Sequence, residues 1–532
     1  MTRKRVNTRF LAGFLVACGI GALLAACEST STSSVPLGTV GHVTGFVGDV
    51  AGDEPQAVEV ARQVLSAGGT AADAAVAFDF TLAITLPSRA SLASGGVCLV
   101  YDHASQKTEV LDFTPKASAT GAGSGNAPLA VPGNPKAMFA LHSKHGRLMW
   151  EQLLAPAEKL ARDGAPISKT LGRDLDLAAG LLAKDPEAVR TFGRKGGGFL
   201  HEGDTLVQAD LGVLVGRLRT TGPGDLYDGM LAPAVARRFS EAGQVSGSTI
   251  SADDLRDLQP DWKDPVTVAF GDDSLNFAPS PASAGPLAAE MWSMLSTDNR
   301  YRDAKGSARL HLFGEVSMRA FADRSDWAQP NGDSKLAVND IVADARLKDL
   351  MSSYSEAEHT PSSSLTPPPT APLENPAATS FVVVDSEGSA VTCGLTMNNL
   401  FGLGRVARGT GIVAAAAPVK GSGVSALVPM LVVDKDGALI FAAGASGGTA
   451  APAALVTVAL ESLVVGRPLP IAISIKRVLH TGLPDVLVYE KGLAPETINE
   501  LTGRKYKLFG VESLGLVNVV WCSKGLPKES DS

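Results

Sequence analysis

Thr379 stands where backbone chemistry could be done. It leads into an apolar run, Phe381-Val382-Val383-Val384, directly after a stretch rich in serine and proline. A hydroxyl at a new chain terminus gains the freed α-amine as its general base, so a threonine after an extended linker suits self-cleavage followed by acyl transfer. Other reactive side chains are sparse. Cys98, Cys393 and Cys522 are widely separated, which is not the spacing of a disulfide framework. Cys98 and Cys393 fall inside apolar strand-like runs and read as buried small hydrophobes. The histidines are scattered singly, without the spacing of a zinc site, so neither a metal nor a cofactor is expected.

The elements around Thr379 follow from period and punctuation. Residues 352–364 are serine-rich, and Pro367-Pro368-Pro369, Pro372 and Pro376 follow. Such a segment, 352–377, cannot join a helix or a central strand and is expected to be an exposed, extended linker. Beyond it, 381–385, a tight turn at 386–389 and 390–392 read as strand, turn, strand; 427–434 and 439–443 form another such pair around Lys435-Asp436-Gly437. Upstream, Asp53-Glu54-Pro55 predicts a helix start with a capping acid, and Gly68-Gly69 its end. A second helix is predicted from Ala71 to about Ile84, with alanine on nearly every face. The runs 97–101 and 109–113 predict a hairpin. Residues 131–350 read mostly as paired helices, with 153–161 and 310–322 the clearest amphipathic stretches. The expected architecture is α+β: two antiparallel sheets between helical layers, in one large domain.

The N-terminus carries a different chemistry. Arg3, Lys4, Arg5 and Arg9 precede a short apolar run over 10–24, then Ala25, Ala26 and Cys27. Basic, apolar, small is the order of a secretory signal, and the run is short for a ~30 Å hydrocarbon core. Leu24-Ala25-Ala26-Cys27 resembles a bacterial lipobox, which implies a signal peptide over 1–26, lipidation of Cys27 and a polar tether over 27–34. The expected location is the bacterial envelope, anchored by lipid, with Glu28 favouring the outer membrane facing the periplasm. Removing 1–26 takes away four positive charges and moves the formal charge from −8 to −12. So acidic a chain is not expected to bind nucleic acid.

Several runs carry a family resemblance. They include Ala67-Gly68-Gly69-Thr70-Ala71-Ala72-Asp73, Val131-Pro132-Gly133, His145-Gly146-Arg147-Leu148 and Ala320-Phe321-Ala322-Asp323-Arg324. Downstream stand Val384-Asp385-Ser386-Glu387-Gly388, Phe401-Gly402, Gly444-Ala445-Ser446-Gly447-Gly448 and Leu483-Pro484-Asp485. In this order, over nearly the whole mature chain, they resemble the gamma-glutamyltransferase family (glutathione hydrolases). The resemblance implies an αββα four-layer N-terminal-nucleophile hydrolase sandwich, with 35–351 corresponding to the large subunit and 378–532 to the small subunit of one domain.

The chain departs from the family at its reactive positions. The family's nucleophilic threonine precedes the aspartate of the Val-Asp-x-x-Gly turn by seven residues. Counting back from Asp385 reaches Ala378, whose methyl group attacks nothing. Thr379 is one residue late, and a one-residue slip along a strand turns a side chain to the opposite face. Where the resemblance implies an arginine for the substrate's α-carboxylate, Thr114 follows Asp112-Phe113. Where it implies an acidic stretch for the α-amine stand Ala417 and Lys420. A charged partner lost from a closed pocket costs roughly 2–5 kcal/mol of binding. Thr396 and Asn398 match the family's supporting threonine and substrate-positioning asparagine. Gly447 and Gly448 match its oxyanion pair, although a sharp turn would retain the same glycines on steric grounds.

Three functional readings follow. The first is a lipid-anchored member lacking transpeptidase activity and self-cleavage, holding a small amino-acid or peptide ligand. The second is an active gamma-glutamyl hydrolase or transferase, or a related acylase, using Thr379. The third is a structural envelope protein.

Overall fold

The computed structural model describes residues 45–119, 121, 127–329, 332–365, 377–418, 427–523 and 525–526. Cys27, Lys420 and linker residues 366–376 lie outside the described residues. The strands that build the core are β1 (Gly48–Gly52), β2 (Gly95–Asp102), β3 (Lys107–Phe113), β4 (Asp261–Lys263), β5 (Val266–Phe270), β6 (Asp273–Phe277), β7 (Ala378–Asp385), β8 (Ala390–Thr396), β9 (Val428–Val433), β10 (Leu439–Ser446) and β11 (Leu516–Trp521). They form two antiparallel sheets, in the orders β1-β7-β8-β2-β3-β4 and β11-β10-β9-β6-β5. β4 to β6 sit inside the stretch read from sequence as mostly paired helices. They supply an edge to each sheet, and their short runs lack the length that marks a strand by period alone.

Side chains alternate faces along each strand, and the cores separate accordingly. Val97, Leu99, Val382, Val384, Leu431 and Ala442 fill the space between the sheets. Phe381, Val383, Val391 and Leu395 point outward against α1 (Pro55–Ser66), α2 (Ala71–Thr85) and α3 (Trp150–Asp163). On the other side, Met430, Phe441 and Ala443 pack against α4 (Ala284–Ser296), α5 (Ser307–Trp327) and α6 (Ala451–Ala459). The result is the αββα four-layer sandwich. Gly444 permits a close approach of the sheets: a Cβ there would lie 2.9 Å from Ser380 Cβ.

The turn after β7 ties sheet to helix. Asp385 Oδ1 accepts the N–H groups of Glu387 and Ser389, closing a turn that Gly388 completes at φ +95°. Its Oδ2 accepts Ala71 N–H at 2.9 Å, at the first turn of α2. The Thr70/Asp73 capping box covers two more of that helix's free donors. Every residue of α2 is buried, which its alanines allow.

Several expectations are corrected. The acid at the start of α1 is Glu54, which occupies the cap position before Pro55 but makes no side-chain cap hydrogen bond. The stretch 310–322 is not amphipathic, because every residue of α5 from His311 to Asp323 is buried, between α4 and the small sheet that includes Leu487–Glu490. Cys98 and Cys393 are not free hydrophobes. They are direct partners across β2 and β8 and form a disulfide spanning 295 residues of sequence. Chain spacing does not reveal such a pair, because sheet register brings it together.

Residues 352–365 are not a free extended linker either. His359 and Ser362 are buried. His359 Nδ1 donates to Glu315 Oε1 at 2.7 Å and its Nε2 to Asp485 Oδ1 at 2.9 Å. The singly scattered histidines thus converge: ligand atoms of His359, His480 and Asp485 lie within 4.8 Å of one another. Their hydrogen bonding is that of a proton network. His480 Nδ1 accepts Gly482 N–H, so its Nε2 carries the proton donated to Asp485. Both ring nitrogens of His359 face carboxylates, which requires the charged imidazolium.

Candidate functional site

Ala378 begins β7, and its partners across the sheet are Thr396 at the end of β8 and, beyond it, Gly95 at the start of β2. The β7–β8 register runs unbroken from Ala378 to Val384, without a bulge. Alternation therefore sets the two candidate positions apart. Ala378 belongs to the cluster between the sheets, on the same face as Val382 and Val384. Thr379 shares the opposite face with Phe381 and Val383 and is buried.

The carbonyl in front of Ala378 is held by two donors. Met397 N–H reaches the Ala377 oxygen at 3.0 Å, and Thr396 Oγ1 reaches it at 3.4 Å. Thr396 Oγ1 in turn accepts Asn398 N–H at 2.9 Å. Asn398 adopts φ +62°, a conformation that asparagine tolerates better than most residues. Its amide donates to the Ala417 carbonyl at 3.3 Å. Ala417 is fully buried, with its N–H on Pro128 O, and presents no charge.

The second sheet reaches the same end of the sandwich. Thr392, the β8 partner of Val382, donates to Ala443 O, and Ser380 lies against Gly444. Continuing both strands in this sense leads to Ala378 on one side and to Ser446-Gly447-Gly448 on the other. Gly447 and Gly448 have φ +121° and +63°. A Cβ on Gly447 would meet Gly515 Cα at 2.6 Å, so this glycine is also required sterically.

Thr114 is committed locally. Its N–H and Oγ1 both donate to Asp112 Oδ1, at 3.0 and 2.9 Å. Asp112 Oδ2 accepts Lys263 Nζ at 2.6 Å. This cation on β4 is not signalled by the sequence; it arrives because β4 pairs with β3. Two further residues were missed in the same way. Asp53 Oδ2 accepts the Thr379 hydroxyl at 2.8 Å, and its Oδ1 accepts Asn518 Nδ2 at 2.9 Å. Asn518 also donates to Ser380 O and Oγ. Burial pushes the neighbouring Glu54 carboxyl up to about 7.

The arrangement can polarise the Ala377 carbonyl, but the residue that follows it, Ala378, carries no hydroxyl to attack it. The family model described as Gamma-glutamyltranspeptidase matches residues 57–417 and 415–529. The chain is 29% identical to a glutathione hydrolase proenzyme of Pseudomonas aeruginosa, over 87% of this chain and 88% of that protein. It is 27% identical to the Escherichia coli glutathione hydrolase proenzyme, over 94% of each. A cephalosporin acylase structure from Bacillus halodurans shares the fold, with a TM-score of 0.78 at 21% identity, covering 91% of this chain and 94% of that one. A gamma-glutamyltranspeptidase structure from Helicobacter pylori aligns with a TM-score of 0.54 at 26% identity, covering 61% of this chain and 96% of that one.

Proposed function

This chain belongs to the gamma-glutamyltranspeptidase family, and from that premise we propose that it is a member without self-cleavage or transpeptidase activity, acting as a lipid-anchored envelope protein that holds a small amino-acid or peptide ligand. One observation carries the reading. Donors from Thr396 and Met397 converge on the Ala377 carbonyl, while Ala378 offers only a methyl group beside it. Without a hydroxyl there is neither an acyl shift to cut the chain nor a nucleophile to take an acyl group afterwards. The loss of charge at Thr114 and Ala417 removes the recognition of a glutamyl head and points to a less charged ligand. The disulfide Cys98–Cys393 supports an oxidising compartment, in line with lipidation at Cys27 and export.

The deciding experiment is intact-mass measurement of the purified protein under reducing conditions, because the disulfide would otherwise hold two fragments together. One continuous chain is expected. Two fragments, with a new N-terminus at Ala378 or Thr379, would overturn the reading.

A second reading has its own observation. The Thr379 hydroxyl donates to the Asp53 carboxylate, a group that could act as its base. In that case purified protein releases acyl groups and Thr379→Ala abolishes the release.

A further inference from the structure

A cavity of about 320 Å³ lies in the outer layer against α5, α6 and the π-helical turn Leu460–Val464, and shares no residue with the site above. π-turns recur at functional sites in helices. The cavity is lined by four cations, Arg309, Arg467, Lys476 and Arg477, and by one carboxylate, Glu461. Glu461 is already engaged: Oε1 accepts Tyr301 Oη at 2.9 Å and Arg309 at 3.0 Å, and Oε2 accepts Arg467 Nε at 2.6 Å. Arg309 also donates from Nε to Ala304 O and from Nη2 to Arg302 O. Arg477 pairs with Glu490 behind the wall, yet its Nε is buried without a hydrogen-bond partner.

Glu461 and Glu490 face the four cations, and Glu512, already paired with Lys491, acts on Lys476 from outside the cavity, so positive charge stays in excess by two. The open donors at the mouth are the terminal nitrogens of Arg467 and the Lys476 ammonium, neither with a further hydrogen bond among the described residues. Both side chains are solvent-accessible, Arg467 at 43%, which places them at the mouth. The wall beneath is apolar, with Phe313, Val478 and Leu493. A guanidinium fork beside an ammonium matches a compact dianion, whose two charges sit on one group. A dicarboxylate, with its charges on separate carbons, fits this mouth less well.

We propose that this cavity binds a phosphate monoester, with the phosphate between Arg467 and Lys476 and an apolar body inserted toward Phe313 and Leu493. The ester can be a soluble metabolite or a lipid with a terminal phosphate, and the test separates them. The full chain is titrated calorimetrically with phenyl phosphate, phenol, inorganic phosphate and dihexanoyl phosphatidic acid. Phenyl phosphate or the phosphatidic acid is expected to bind at least about tenfold more tightly than inorganic phosphate, with phenol silent, and the tighter of the two identifies the source. Combining Arg467→Gln with Lys476→Gln is expected to weaken that binding at least about tenfold. Leu493→Trp, which keeps both charges and fills the apolar wall, is expected to erase the preference over inorganic phosphate. The proposal fails if neither ester binds, or if the double variant binds them as tightly as the unaltered chain.

Discussion

Thr396 Oγ1 lies 3.4 Å from the carbonyl oxygen of Ala377, the residue directly before Ala378. A donor aimed at a main-chain carbonyl stabilises charge developing on that oxygen. Its usefulness depends on a nucleophile attached to the next residue.

Ala378→Thr is therefore expected to restore cleavage between 377 and 378, since the protein's own backbone is the substrate and no glutamyl recognition is needed. Reducing intact-mass measurement after incubation reads the outcome directly. Turnover of a gamma-glutamyl anilide is expected to stay poor in that variant, and to improve when Thr114→Arg and Lys420→Asp are added. Persistence of a single chain in Ala378→Thr would show that Thr396 does not serve this carbonyl.

Thr379→Ala is expected to leave chain integrity and ligand binding unchanged and to lower stability by about 1.5–3 kcal/mol, because the Asp53 carboxylate loses a hydroxyl donor. Urea denaturation measures the loss. An unchanged midpoint would mean that water replaces the hydroxyl at no cost.

Replacing both Cys98 and Cys393 with serine is expected to reduce stability by about 2–5 kcal/mol, since the bond closes a very long loop of the unfolded chain. Reductant should lower the unaltered protein toward the same midpoint and leave the double variant where it is.

The histidine network predicts a pH signature. Burial alone would lower the His359 value, but its bonds to Glu315 and Asp485 outweigh that and raise it above the usual 6.5. Burial opposes ionisation of Glu315, yet its bonds to His359 and Arg319 take it down to about 2. Burial, with His359 nearby, takes His480 down to about 4. The His359 contribution is thus complete below about pH 6.5 and is lost as pH rises through its raised value. The Glu315 contribution is present above about 4.5 and is lost as pH falls toward 2. His480 favours folding above about 6.5 and loses that effect toward 4. His359→Gln should cost about 3 kcal/mol near pH 6 and less near pH 9. Denaturation midpoints at the two values check this; an equal cost at both would remove the charged-imidazolium assignment.

Cys27→Ser is expected to abolish palmitate labelling and membrane partitioning. Retention of both would show that the chain is anchored some other way.

Much of this protein was determined by neighbouring residues. The proposed export signal rests on the order basic, apolar, small before Cys27. The helix over Ala71–Thr85, the hairpin around 103–106 and the turn at Asp385 follow from period and turn chemistry acting within a few residues. The distance from Ala378 to Asp385 is also a count along one strand, and the unbroken β7–β8 register preserves it. The tertiary structure alone decided which distant groups meet. Asp53-Glu54-Pro55 reads locally as a helix start, but β1 lies beside β7, and the Asp53 carboxylate takes the Thr379 hydroxyl. Lys263 reaches Asp112, Cys98 reaches Cys393 and His359 reaches Asp485 for the same reason. Such contacts depend on strand order and on closure of long loops. Those are set by the burial of whole sheet faces, and no local pattern of side chains encodes them.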